Sequence, residues 1–163
     1  MKNHLLKISL NNTDIWRRIS IPYGFNFAKL HEVIQIIFGW KNYHLHEFNI
    51  SGLLIVADKG DDTDMITEKF SYESEMNLDA ILSKEKSFTY AYDFGDGWEL
   101  TIEVEEIAPE GNTYPELKEF GGTMVKENCG GIYGLQEQGD DPVDAEKINW
   151  VLKKYQTKTD FKK

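Results

Sequence analysis

The segment Ser87–Ile107, SFTYAYDFGDGWELTIEVEEI, leaves this chain the fewest options for folding. Phe88, Tyr90, Tyr92 and Phe94 alternate with Thr89, Ala91 and Asp93. Beyond Gly95-Asp96-Gly97, Trp98, Leu100, Ile102 and Val104 alternate with Glu99, Thr101, Glu103 and Glu105. A period of two on both sides of a Gly/Asp turn specifies a hairpin, each strand with one face for the core and one for water. Gly95, Asp96 and Gly97 tolerate the positive φ that such a turn needs.

The same alternation predicts an earlier hairpin. Leu6, Ile8 and Leu10 mark a strand over His4–Leu10, Asn11-Asn12 a turn, and Ile15–Ile21 the returning strand, ended by Pro22 and Gly24. In that second strand Ile15, Arg17, Ile19 and Ile21 share one face, and Trp16, Arg18 and Ser20 the other. Asn26–Phe38 switches to a period of 3.6. Phe27, Leu30, Val33, Ile34, Ile37 and Phe38 form an apolar stripe, Lys29, Glu32 and Gln35 face water, Asn26 is the N-cap and Gly39 the stop. His44–Ile50 and Leu53–Val56 read as strands, with a short strand near Lys69–Tyr72 and a short helix at Leu78, Ile81 and Leu82.

Ala57–Ser74 reads as an acidic loop. Its Asp58, Asp61, Asp62 and Asp64 lack the glycine and the ligand ladder of a calcium loop. Ala108–Gly131 reads as a long loop and Ile132–Gln138 as a helical turn. Asp141 as N-cap and Pro142 at the first position open a last helix, with Ile148, Val151, Leu152 and Tyr155 as its stripe. The fold class expected is α+β: a single domain over residues 1–155, a mainly antiparallel sheet of hairpins packed against one central amphipathic helix plus a C-terminal helix. Residues 156–163 read as a polar tail.

Charge narrows the function. The chain carries −10 net, and its only arginines are Arg17 and Arg18. Binding to phosphate backbones rests on Lys and Arg, so a nucleic-acid partner is disfavoured. No run approaches the roughly 18 apolar residues that cross a bilayer, and the first residues lack a signal-peptide pattern. The lone Cys129 gives neither a disulfide framework nor a Cys-rich zinc site. A cytoplasmic protein with no membrane association is expected.

Four segments in order, DIWRRISIP, AKLHEVIQIIFGW followed by HLHEF, YAYDFGDGWE and ENCGGIYGLQE, carry a resemblance. From about Leu5 to Gln138 the chain resembles the Ri-plasmid ORF-3-like family, whose members are also met as insertion-element passengers labelled resolvase-like. The resemblance implies a compact α+β domain of unsettled biochemical function, associated with mobile elements. The chain departs from the family pattern in two places. Leu100 stands where related proteins tend to carry His, and Thr123–Asn128 lacks a second Cys; both departures weaken any metal site carried over from the family. Strand exchange needs a Ser or Tyr nucleophile and several cationic groups on the phosphoryl oxygens, and two adjacent arginines supply few.

Candidate functional residues follow from spacing. His44 and His46, at i and i+2, project from one face of a strand and could share a divalent metal, with Asp93 or Asp96 as the carboxylate. Against this, the histidines can be core groups bonded to tyrosine hydroxyls, and the aspartates turn and cap residues. One of Arg17 and Arg18 faces inward, and an ion pair with Asp93 or Asp96 is expected for it; an anion clamp is the alternative. Cys129-Gly130-Gly131 reads as structural loop glycines, or as a reactive thiol. Trp16, Trp40, Tyr43 and Trp98 are candidate binding-surface aromatics. The expectation is a non-catalytic interaction module with a protein or peptide partner and no cofactor. The alternatives are a metal-dependent hydrolase or nuclease using His44, His46, Asp93 and Asp96, and a DNA-associated accessory protein.

Overall fold

The structure is a computed structural model that describes residues 1–58, 66 and 68–157. Along the chain come β1 (Asn3–Leu10), β2 (Trp16–Pro22), α1 (Phe27–Phe38), β3 (His46–Ile50), β4 (Leu53–Val56), β5 (Phe70–Tyr72), α2 (Leu78–Leu82), β6 (Ser87–Tyr92), β7 (Trp98–Ala108), β8 (Glu116–Gly121), α3 (Gly131–Leu135) and α4 (Ala145–Leu152). The strands join in one 8-stranded sheet in the order β5-β4-β3-β6-β7-β1-β2-β8. Every pairing is antiparallel except β4 with β5. The α+β class expected from the pattern is the one observed.

The central hairpin pairs Phe88 with Ile102 and Tyr92 with Trp98. Its turn is built differently from the expectation. Asp93 and Gly97 carry the positive φ, at 55° and 73°. The Asp93 carboxylate accepts from the amides of Gly95 and Asp96 at 3.2 and 3.3 Å. The chain therefore leaves the strand after Tyr92, and Phe94 is 55% exposed rather than on the core face. β7 continues past the hairpin and pairs with β1, which seats the first hairpin beside the second.

α1 lies over the core face and buries Phe27, Leu30, Val33, Ile34, Ile37 and Phe38. At about 1.5–3 kcal/mol per large apolar side chain, this stripe fixes the helix to the sheet. The Asn26 side chain accepts from the Lys29 amide, and Gly39 closes the helix at φ 80°. Two polar residues break the expected pattern: Gln35 and His31 are buried, at 4% and 3% exposure. Both meet polar partners on the sheet.

Three further expectations are corrected. The stretch read as a long loop contains β8, paired with β2 at the sheet edge. An edge strand needs few apolar residues, and β8 buries Leu117 alone. The last helix is capped by Asp144, whose carboxylate accepts from the Lys147 amide, not by Asp141. The chain is still tied down at Thr157, which donates through its amide to Thr113 O and through its hydroxyl to Tyr23 O. Residues 158–163 of the expected tail, and Asp61, Asp62 and Asp64 of the acidic loop, lie outside the described residues. Among the described residues no helix is long and apolar enough to cross a membrane.

Candidate functional site

At one end of the sheet β3 begins, β6 ends and β7 begins, in register His46–Tyr92–Trp98. The loop after α1, the Asp93–Gly97 turn and the segment Met124–Gly131 converge there. The Asp93 amide donates to Leu45 O, the Lys41 amide to the Glu127 carboxylate, and the Gly130 amide to that of Asp96.

A polar network is buried beneath α1. The His31 and His46 rings stack with centroids 3.4 Å apart and planes 6° from parallel. His31 Nε2 lies 2.8 Å from Asn42 Oδ1, and its Nδ1 lies 2.8 Å from the Tyr90 hydroxyl. Because Asn42 Oδ1 can only accept, Nε2 carries the proton and Nδ1 accepts from Tyr90. Gln35 Nε2 donates to the same hydroxyl, and Gln35 Oε1 accepts from the Asn42 amide. Each donor in this circuit has one acceptor, and the circuit closes only with His31 neutral. Burial first, then the charge of His46, push His31 down to about 3. His46 donates to Glu73 Oε2 at 2.6 Å.

His44 stands outside this network. It precedes β3 rather than sharing a strand face with His46. Its Nε2 faces Asn128 Oδ1 at 2.8 Å and Asp93 Oδ2 at 3.4 Å, and its side chain is 30% exposed. Next to it the Tyr92 hydroxyl donates to Glu127 and accepts from the Tyr43 amide. Burial and the bonded Glu127 carboxylate raise Tyr92 well above an ordinary phenol.

The residues nominated as a metal set are thus divided. His44 and Asp93 come together, His46 turns inward to Glu73, and Asp96 caps Gly130. Among the described residues no group of three His, Cys, Asp or Glu side chains is placed to hold a metal ion. Neither arginine meets Asp93 or Asp96. Arg18 pairs with Glu105 at 3.0 Å and Glu119 at 2.8 Å on the open face of the sheet. Arg17 is fully buried and takes backbone carbonyls instead: Ile37, Trp16, Gly121 and Thr123, at 2.8–3.2 Å. Its guanidinium also lies 4.9 Å from the Phe38 ring centre. Carbonyls at the end of α1 and in the segment after β8 replace the carboxylate that the sequence reading required. Burial and the charge of Asp96 raise the Cys129 thiol, the opposite of what a nucleophilic thiol needs.

The nominated aromatics also divide. Trp40 and Trp98 are core residues, at 4% and 0% exposure, with Trp40 stacked between Phe38 and Tyr92. Trp16 is half-buried on the open face, between Lys7 and Arg18. Tyr43 is 69% exposed, as the candidate-surface reading expects of it.

Tyr43 and Asn128 also line a groove of about 690 Å³. Ile36, Phe38, Met124, Val125, Ile148 and Val151 form its apolar floor and walls, between the C-terminal end of α1 and α4. Lys41, Lys126 and Lys147 stand along it with Glu127, Asp141 and Asp144. Gly39 lets the floor close up: a Cβ there would meet the Met124 methyl at 2.6 Å. The sequence reading missed this groove, because its walls come from three separate segments, within residues 36–43, 124–128 and 141–151. It also missed Gln35, Asn42, Glu73 and Glu127, whose polarity by itself reads as surface.

The family described as plasmid pRiA4b ORF-3-like protein matches residues 2–162. The uncharacterized protein y4hQ of Sinorhizobium fredii (strain NBRC 101917 / NGR234) is 34% identical over 156 residues, covering 89% of this chain and 78% of that protein. The crystal structure of a protein of unknown function, MM3350 of Methanosarcina mazei Go1, matches with a TM-score of 0.72 at 33% identity, over 83% of this chain and 78% of that one.

Proposed function

The chain belongs to the plasmid pRiA4b ORF-3-like family, and from that premise we propose that it is a non-catalytic binding module, working in the cytoplasm in association with mobile elements. Its partner is a protein or peptide, received in the groove between α1 and α4. The groove carries this reading. Its volume of about 690 Å³ falls within the range of roughly 300–1,000 Å³ typical of ligand sites, and it combines apolar walls with a few polar groups. The neighbouring polar network supports a binding role over a catalytic one. His31, His46 and Tyr90 are buried and bonded to one another or to Gln35, Asn42 and Glu73, so none is free to reach a substrate. The module requires no cofactor. For the metal-dependent reading, the geometry brings together only His44 and Asp93.

Site-specific photocrosslinking in the native host tests this. A photoreactive residue at Lys147, in the groove, is compared with one at Thr89, on the open face of the sheet. A discrete protein adduct from Lys147 and none from Thr89 is expected. Equal labelling at the two positions, or none at Lys147, would overturn the groove as the binding site.

A further inference from the structure

We propose that His44 Nε2, Asp93 Oδ2 and Asn128 Oδ1 hold a divalent transition-metal ion, zinc in the first place, where β6 turns into β7. The ion is an additional ligand, which binding in the groove does not require, and the proposal does not rest on the groove reading. The ligand set also differs from the one read from the sequence: Asn128 stands in place of His46 and Asp96.

The Asp93 carboxylate is buried without a lysine or arginine. Its side chain is 10% exposed, and among the described residues only His44 stands within ion-pair distance. Asp93 Oδ1 accepts from the Gly95 and Asp96 amides. Oδ2 accepts no hydrogen bond among the described residues. It faces His44 Nε2 at 3.4 Å, longer than an ordinary N–H···O hydrogen bond. The hydrogen bond of that nitrogen goes instead to Asn128 Oδ1, at 2.8 Å. A carboxylate buried this far is paired or coordinates a metal, and here its free oxygen points at an imidazole nitrogen.

The spacing is that of a coordination shell. Two oxygens lie 2.8 and 3.4 Å from one nitrogen. Donors bound to zinc at about 2.0–2.2 Å stand roughly 3–3.5 Å from one another, so the exposed Asn128 amide needs only to draw back slightly. The other two ligands are held in place. The two amides on Oδ1 aim the Asp93 carboxylate, and hydrogen bonds of this kind usually orient metal ligands. The His44 ring packs edge-on against Tyr92, with centroids 5.7 Å apart and planes at 71°. Tyr92 is itself fixed by Glu127 and the Tyr43 amide. One imidazole and two oxygens, with no thiolate, suit zinc or manganese rather than copper(I). Cys129 is not a fourth ligand, because its thiol turns to Gly131 O, and the Asp96 carboxylate accepts from the Gly130 amide. The remaining positions fall to water, which reaches the site past the 30%-exposed His44 side chain. Asn128 also lines the groove, so the ion stands at its rim.

The test is an amide-resolved NMR titration of the full chain, first stripped with a chelator, with zinc chloride. Saturable shifts centred on Tyr43–Leu45, Tyr92–Asp96 and Glu127–Cys129 are expected. Long-range proton–nitrogen spectra of the imidazoles should show the metal on His44 Nε2, with His31 and His46 unchanged. Two substitutions probe the oxygens. Asp93→Asn keeps an acceptor for the turn amides and removes the charge. Asn128→Gly removes the amide and keeps a residue suited to the positive φ of 58°. Each should weaken zinc binding at least about tenfold, since even the outer partners of a metal ligand carry about 10–100-fold. Shifts centred elsewhere, no saturable change at millimolar zinc, or a His44 ring that stays free of metal would overturn the site. So would zinc binding by both variants as tight as in the natural chain. The photocrosslinking result bears on the groove alone, so either reading can fail without the other.

Discussion

Arg17 shows at the scale of one residue what buried charge can do without a counterion. Its donors tie the last turn of α1, strand β2 and the segment after β8 to one point. The Ile37 carbonyl is one of the unpaired acceptors at a helix C-terminus, where positive charge is favourable. Burial lowers the guanidinium to about 10, still far above neutral pH. Arg17→Met removes the donors and leaves several carbonyls unsatisfied. Hydrogen bonds to charged groups contribute about 1.5–3 kcal/mol each, so a loss of about 3 kcal/mol or more is expected in urea denaturation. Arg17→Lys keeps the charge but lacks the planar fork, and should recover only a minor part. A loss under about 1 kcal/mol for Arg17→Met would show that the carbonyls find water or relax. The sequence put Arg17 and Arg18 on opposite faces of their strand and left open which one turns inward; it did not show that the partners would be backbone groups.

At the scale of elements, two contacts hold the periphery in place. The first joins the Met124–Gly131 segment to the hairpin turn. Gly131 has φ 70°, and a Cβ there would lie 2.4 Å from the Asp96 carbonyl. Gly131→Ala therefore cannot keep the contact, and strain of about 1–3 kcal/mol is expected. NMR of the variant should show shifted amides over Asp93–Gly97, with the far edge at β5 unchanged; an unperturbed turn would contradict the close approach. The second contact covers the edge of the sheet. The Asn149 side chain accepts from the Leu117 amide at 2.8 Å and donates to its carbonyl at 3.2 Å, as a neighbouring strand would. Edge strands are commonly covered to prevent association. Asn149→Ala should cost about 1–2 kcal/mol and sharply accelerate hydrogen exchange at Leu117. Retained protection there would show that α4 shields β8 without this side chain.

At the scale of the molecule, the buried network makes stability depend on pH. His31 is pushed down from 6.5 to about 3, so between these values the unfolded chain binds a proton that the folded chain does not. The stabilisation from keeping His31 neutral is whole above about pH 6.5 and is lost progressively as pH falls toward 3. The slope from this one group approaches about 1.4 kcal/mol per pH unit. A protonated His31 would lose the hydrogen bond that Nδ1 accepts from Tyr90, beside His46 and under Gln35 and Asn42. His31→Gln is expected to be less stable at pH 7 and to lose less between pH 6.5 and 4 than the natural chain. Parallel pH dependences for the two proteins would remove His31 as the cause.

The sequence by itself determined the two hairpins, the α1 stripe with its Asn26 and Gly39 caps, and the antiparallel α+β class. These follow from local periodicity and turn chemistry, which a single strand or helix carries in its own residues. It could not supply β8, whose one buried residue makes no pattern, or the burial of the polar His31 and Gln35 in α1. Only the tertiary structure decided those, and it decided the site. Whether Glu127 meets the Tyr92 hydroxyl and His46 meets Glu73 depends on partners brought from elsewhere in the chain. A side chain's type is written in the sequence, but its hydrogen-bond partner is set by which elements pack against it.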